Sequence, residues 1–375
     1  MKPILPGETI GILGGGQLGR MMAMAARSLG YHLHALDPDP SCAARFVVEQ
    51  CLTAPFDDEI AAAYLARNCS VVTLEIEKIS LASLRAAERL VPVRPGSALL
   101  EIVQDRARQK NWLIQQAFPV GDYAEVTSAE ELAAALARLG SSYVKSCAGG
   151  YDGRSQIRTG DPTAAETSWR ALGSTPCVVE KELAIAAELS VLVARRPSGE
   201  IAVYPPALNH HEERILAWSV LPGPLDEEVS RRAGEIARAI TEQLRVEGLL
   251  VVELFLLGDK TLLVNELAPR PHNSYHSSEL ACATSQFEQA VRAVCDLPLG
   301  STEVVRPAAI ANLLGELWLS DLPPRFDEAL AIPGVRLHLY GKRVARPGRK
   351  MGHLSAIAAT PKEAVERVLA AKARL

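Results

Sequence analysis

The sequence predicts a mixed α/β and α+β protein: a Rossmann-like parallel-sheet unit, a small lid, a large antiparallel unit and a short C-terminal α/β segment. Three observations carry this. Apolar, β-branched runs alternate with helical patterns over roughly the first hundred residues, as βαβ units require. A glycine-rich run at 147–155 separates two short strand patterns, and residues 248–268 hold two apolar runs joined at Gly258-Asp259, the pattern of an antiparallel hairpin. The division expected is 1–100, 101–175, 176–300 and 301–375. A chain of 375 residues has room for it, since single cores rarely exceed about 250 to 300 residues.

In the first unit TIGIL (9–13) is a strand, Gly14-Gly15-Gly16 a tight turn and QLGRMMAMAARSLG a helix ending at Gly30. HLHAL is a second strand, closing at Asp37-Pro38-Asp39-Pro40. SVVTL (70–74) and residues 91–93 read as further strands, with helices over 57–67 and 80–89. The pattern is helical over about 98–116. Strands YVKS and QIRT then flank CAGGYDGRS, a loop suited to covering a ligand. CVVEKEL, LSVLVAR and IAVYPPA are strand patterns, 226–245 is helical, and the hairpin follows. ANLLG, VRLHLYGK and a helix from Pro361 complete the chain.

Hydrophobic residues at 48% and charged residues at 22% are ordinary globular usage, and no repeat is present. A net charge of -4 gives no general attraction to nucleic acid or an anionic membrane, so an anionic ligand must be held by local groups. Seven scattered cysteines without a C-x-x-C pair suggest reduced thiols in a cytoplasm. No apolar run approaches the roughly 18 residues needed to span a bilayer.

Gly14-x-Gly16-x-x-Gly19, between strand and helix with Asp37 closing the next strand, matches the dinucleotide fingerprint. The underlying physics is a helix N-terminus approached closely by an anion, so a nicotinamide cofactor, another anionic ligand and a purely structural turn all satisfy it. Glu253 and Glu266 fall opposite each other if the hairpin turns at 258–261. Two facing carboxylates repel unless a cation lies between them, which points to an oxygen-preferring ion such as magnesium; the plainer reading is a solvated sheet face. Their face is expected to carry Val251, Phe255 and Val264, with Asn265 directed away. Downstream, Arg270, His272 and Asn273 place a guanidinium, an imidazole and an amide in a segment that Pro269 and Pro271 keep from helix, which suits a small oxyanion or caps the hairpin. Lys145 precedes the glycine run and could reach phosphates beneath it, although no Walker A motif is present. Lys342, Arg343, Arg346, Arg349 and Lys350 crowd together as a solvated basic face or a phosphate pocket.

GILGGGQLGRM, YVK…GGYDGR, VVELF…LLVNELAPRPHNS, SQFEQ and LYGK…RPGRKMGH, in this order from residue 11 to 354, resemble the signature blocks of the 5-(carboxyamino)imidazole ribonucleotide synthetases of the ATP-grasp superfamily. The resemblance implies an ATP-grasp fold, usually a homodimer, that uses ATP with magnesium to join bicarbonate to 5-aminoimidazole ribonucleotide. It assigns Arg106, Lys145 and His211 to the ATP phosphates, Glu180, Lys181 and Leu183 to the adenine hinge and Glu188 to the ribose. It assigns Glu253 and Glu266 to magnesium, and Arg270, His272 and Asn273 to bicarbonate or carboxyphosphate. Gly15, Gly16, Gln17, Leu18, Glu75, Glu77, Tyr151, Asp152, Arg154, Lys342 and Arg349 would hold the ribonucleotide. Three positions depart from the family's usual glycines: Ser155, Arg214 and Tyr275. Each is expected to strain a tight backbone or fill space beside the site. The EIE at 75–77 also resembles the formate-using glycinamide ribonucleotide transformylases. An NAD-dependent oxidoreductase would account for the glycine fingerprint and Asp37 alone, and a non-catalytic ATP-binding module for the three departures.

Overall fold

The computed structural model describes residues 2–148 and 156–375; Tyr151, Asp152, Arg154 and Ser155 lie outside the described residues. In the N-terminal unit, β1 (Thr9–Leu13), β2 (His32–Asp37), β3 (Gln50–Thr53) and β4 (Val71–Leu74) form a parallel sheet ordered β3-β2-β1-β4. Helices α1 (Gln17–Ser28), α2 (Glu59–Arg67) and α3 (Leu81–Glu88) alternate with them, and Asp58 and Ser80 cap the last two by accepting from Ala61 and Ser83 N–H. β3 escapes the sequence reading because QCLT is a half-buried edge strand without an apolar run. Residues 91–93 give a single bridge, Val72 to Val93, instead of a strand, since Pro92 and Pro95 lack the N–H groups a ladder needs.

The helical pattern at about 98–116 forms two helices, α4 (Ser97–Val103) and α5 (Arg106–Gln115). The break has a local cause: Asp105 turns out of the helix and its carboxylate accepts from Arg108 N–H at 2.9 Å, capping α5. A small antiparallel sheet follows, made of β5 (Tyr123–Val126), β6 (Ser142–Ser146), β7 (Gln156–Thr159) and β8 (Cys177–Lys181) in the order β5-β8-β6-β7. α6 (Ala129–Leu139) and α7 (Ala165–Ala171) cover it, burying Leu132, Leu136 and Trp169 against Val144 and Val179.

The large antiparallel sheet contains β9 (Ile185–Arg195), β10 (Ile201–Val203), β11 (Ala207–Glu212), β12 (Ile215–Leu221), β13 (Gly248–Leu257), β14 (Leu262–Ala268), β15 (Ala308–Leu314), β16 (Val335–Leu339) and β17 (Lys350–Ile357). Its order is β14-β13-β9-β11-β12-β15-β17-β16, with β10 on β9. The C-terminal strands therefore extend this sheet through β15 instead of building one of their own. α8 (Glu227–Gln243) packs on one face; α9 (Ser278–Ala281) and α10 (Gln286–Val294) follow the hairpin, and α11 (Phe326–Leu330) and α12 (Pro361–Lys372) close the chain. β11 (ALNHHE) carries no clear strand signal in the sequence, and β12, although its ILAWSVL is an apolar run, is not among the strands expected there. They meet at Glu213 and Arg214, both with positive φ (48° and 68°), so Arg214 does occupy a left-handed turn position that favours glycine. Among the described residues, no helix is long and apolar enough to cross a membrane.

Candidate active site

The glycine turn is filled from inside the protein. Gly15 N–H donates to Asp37 at 2.6 Å, and Gly16 and Gly19 N–H donate to the two oxygens of Glu75 at 2.7 and 2.8 Å. A Cβ on Gly16 would collide with that carboxylate, so glycine here serves close approach. Asp37, the residue a dinucleotide reading needs at a ribose, is thus engaged by its own chain. Leu18 packs into the core and Gln17 faces out of the turn, its amide oxygen accepting from Lys342 Nζ, so the first and last units meet at this point.

Burial pushes the Glu75 carboxyl up to about 6, with the two glycine N–H groups opposing. An acid whose folded pKa is raised binds more protons folded than unfolded, so its stabilising contribution falls as pH rises from about 4.5 to 6. The expected loss is about 2 kcal/mol. Thermal unfolding of Glu75→Gln against the parent chain at pH 4.5 and pH 6.5 checks this: the parent should lose stability relative to the variant across that interval.

At the hairpin, Glu253 on β13 does pair with Glu266 on β14. Between them and the turn lies a β-bulge: Leu254 pairs with Val264, leaving Asn265 as the extra residue. This corrects two expectations. Asn265 turns toward the acids, its amide donating to Glu253 at 3.3 Å, while Val264 moves to the opposite face and packs with Val252 and Leu254 under α8. Burial opposes charge on Glu253, but His272, His211 and Arg270 overcome it and hold its carboxyl well below the usual range. Glu266 opens to the cleft yet is crowded by protein; desolvation and the Glu253 charge push its carboxyl up, against Arg106 and Lys145.

The cations converge from the small sheet. Lys145 on β6 and Lys110 on α5 reach the two oxygens of Glu180 on β8 at 2.8 and 3.3 Å. Lys110 is only 4% exposed, and nothing in its local sequence marks it as part of the site. Burial lowers its pKa, and Glu180 offsets part of that. Arg106, at the start of α5, donates to Ser146 O at 2.8 Å, and its own N–H to Cys147 O. Beyond Glu180 the chain presents Lys181, paired with Asp122 at 3.7 Å on the surface, and half-buried Leu183. Glu188 on β9 meets His211 Nδ1 at 2.9 Å, which raises the histidine's pKa against the effect of its burial.

The third group comes from the loop after β14. His272 Nε2 lies 3.2 Å from Glu253, and its Nδ1 shares a hydrogen bond of 2.8 Å with Ser274, part of a buried series with Ser190 and Asn209. Gln286 holds both backbone groups of His272, so the ring is fixed from three sides. Arg270 pairs with Glu77 at 2.7 Å, bringing the N-terminal unit to the same cleft. Asn273 is 7% exposed and neither amide atom has a partner among the described residues. An unpaired buried amide is costly, which is the condition for a site awaiting a polar ligand. Tyr275 does not fill space beside the site; its side chain enters the core, with the hydroxyl 2.8 Å from both the Ser190 and the Pro205 carbonyl, which share its one proton. Of the basic cluster, Lys342 joins Gln17, buried Lys350 is directed inward, and half-buried Arg349 donates to Val344 O at 2.6 Å near Asp39.

A small antiparallel sheet bearing lysines, set against a large sheet bearing paired acids, is the arrangement of an ATP-grasp enzyme, and residues 111–287 match the ATP-grasp domain family. Residues 7–104 match the ribonucleotide synthetase preATP-grasp domain and 308–367 the phosphoribosylaminoimidazole carboxylase C-terminal domain. The N5-carboxyaminoimidazole ribonucleotide synthase of Bacillus subtilis (strain 168) is 38% identical over 354 residues, covering 94% of this chain and 92% of that one. The ADP complex of an N5-carboxyaminoimidazole ribonucleotide synthetase superposes with a TM-score of 0.94 at 38% identity, covering 99% and 98% of the two chains. The Aspergillus clavatus synthase in complex with ADP and 5-aminoimidazole ribonucleotide gives 0.89 at 30% identity, covering 98% and 99%. The chain belongs to the N5-carboxyaminoimidazole ribonucleotide synthase family.

Proposed function

We infer that this chain is a carbon–nitrogen ligase of purine biosynthesis: it carboxylates 5-aminoimidazole ribonucleotide with bicarbonate, hydrolysing ATP to ADP and phosphate and yielding N5-carboxyaminoimidazole ribonucleotide. The observation that carries the reading is one continuous network of charge, running from Lys110, Lys145 and Arg106 through Glu266 and Glu253 to His272 and Arg270. It supplies the groups phosphoryl transfer to a small oxyanion needs.

Lys145 and Arg106 are the groups for the ATP phosphates, with Lys110 beside them; Glu180 pairs with both lysines and offsets part of their charge. The backbone of 181–183 and Leu183 offer the adenine contact, Glu188 the ribose contact, and His211 lies beside it. Glu253 and Glu266 fit magnesium: their donors are all oxygen, and the desolvation and mutual repulsion that raise Glu266 are what a cation relieves. When bound there, magnesium supplies charge neutralisation for the transferring phosphoryl group. Arg270, His272 and Asn273 orient bicarbonate, whose attack on the γ-phosphorus gives carboxyphosphate. The amine then takes the carboxyl group from it, or from carbon dioxide it releases. The ribonucleotide lies where Gln17 meets Lys342, with Arg349 at its phosphate; Tyr151, Asp152 and Arg154 belong to this reading by resemblance. A homodimer in the cytoplasm completes it, on the same resemblance and on seven free cysteines.

Phosphate release from ATP is expected to require magnesium, bicarbonate and the ribonucleotide together, because carboxyphosphate formed without an acceptor is wasted in water. A coupled phosphate assay with each component omitted checks this. Equal release with and without the ribonucleotide would refute the coupling.

A further inference from the structure

We propose that Glu279, His338 and His353 form a second metal site, for a divalent ion of the zinc class, separate from the acid pair in the cleft. β16 and β17 place His338 directly opposite His353, with the rings stacked at 5.2 Å and 18°. α9 adds the Glu279 carboxylate, and one donor atom from each of the three lies within 4.8 Å of the others. His353 is buried, His338 half-buried and Glu279 exposed, so the group has a closed side and a side open to water. Two imidazoles and a carboxylate with one open position are a zinc-type donor set, whereas magnesium prefers oxygen throughout.

The surroundings orient the ligands. The Tyr340 hydroxyl lies 2.9 Å from His353 Nδ1; when Nδ1 is the donor, the Nε2 lone pair is free, as for a metal-bound histidine steadied through its other nitrogen. His276 stacks on His353 at 4.7 Å. Arg336 near Glu279 and Arg20 near His338 are the facing cations. α9 follows the loop carrying His272 and Asn273, and β16 leads into Tyr340 and Lys342, so an ion here would pin the two ligand-bearing segments together.

The test is titration of the metal-free full-length chain with cobalt(II) in saturating magnesium, followed by visible absorption. One equivalent of cobalt should give the intense bands of a four-coordinate, nitrogen-ligated ion, and zinc should abolish them. His338→Ala should remove the bands, Glu279→Gln should weaken binding, and Tyr340→Phe should weaken it by about 10- to 100-fold. Glu266→Gln should leave the bands intact. Zinc should also raise the thermal midpoint of the parent chain and not that of His338→Ala; should His338→Ala fail to fold, exposed Glu279→Gln carries the comparison alone. Absent bands, bands unchanged in both Glu279→Gln and a folded His338→Ala, or bands lost in Glu266→Gln would each overturn the proposal.

Discussion

Glu266→Gln is expected to lower turnover by about 100-fold or more, the scale of losing an electrostatic contact made in the transition state. The substitution keeps shape and removes one anionic oxygen donor from the pair facing across β13 and β14. It also removes a charge that desolvation and the repulsion from Glu253 both disfavour, so the thermal midpoint without metal should be unchanged or higher. Loss of activity with retained stability separates a ligand role from a folding role. Steady-state turnover over a magnesium titration, with thermal unfolding alongside, is the measurement. Unchanged turnover at limiting magnesium would show that the acid pair is not the metal site.

Arg349→Ala is expected to raise the Michaelis constant for the ribonucleotide by about 10- to 150-fold and leave that for ATP nearly unchanged. A hydrogen bond to a charged group contributes about 1.5 to 3 kcal/mol, and a guanidinium presents two parallel donors to a phosphate. Arg349 already donates to Val344 O, which fixes part of its loop, and the lysine ahead of it, Lys342, bridges to Gln17 at the end of β1's turn. ATP is assigned to the Lys145 and Arg106 end of the cleft, distant in chemistry from this corner. Some fall in turnover is compatible with the role, since phosphate binding helps orient the amine. Selective loss of ATP affinity would move the basic cluster to the nucleotide site.

The strand–glycine turn–helix at 9–28 rests on local pattern and is readable from the sequence; the pairing of Glu253 with Glu266 is also expected, from a turn at 258–261, but the ladder beside that turn (Leu256 with Leu262, Leu254 with Val264) would set Glu253 opposite Asn265, and it is the bulge that brings Glu266 there. What escapes depends on one-residue events or on distant packing. The bulge at Asn265 leaves no trace in a period-two pattern, yet it reverses which face Asn265 and Val264 occupy. Lys110 sits in RARQKNWLIQ, which reads as an exposed polar helix; only the approach of β6 and β8 buries it against Glu180. Asp37 fits a ribose contact in sequence, and its actual partner, Gly15 N–H, is set by the closeness of two parallel strands. β17 is hidden because its basic start masks an otherwise buried strand, and with it the pairing of His353 with His338.

The most direct test of the carboxylation chemistry follows oxygen from labelled bicarbonate. With oxygen-18 bicarbonate, ATP, magnesium and 5-aminoimidazole ribonucleotide, inorganic phosphate should carry one labelled oxygen per turnover, because bicarbonate oxygen attacks the γ-phosphorus and leaves with the phosphate. Phosphate carrying oxygen from water alone, at the same rate of product formation, would contradict it.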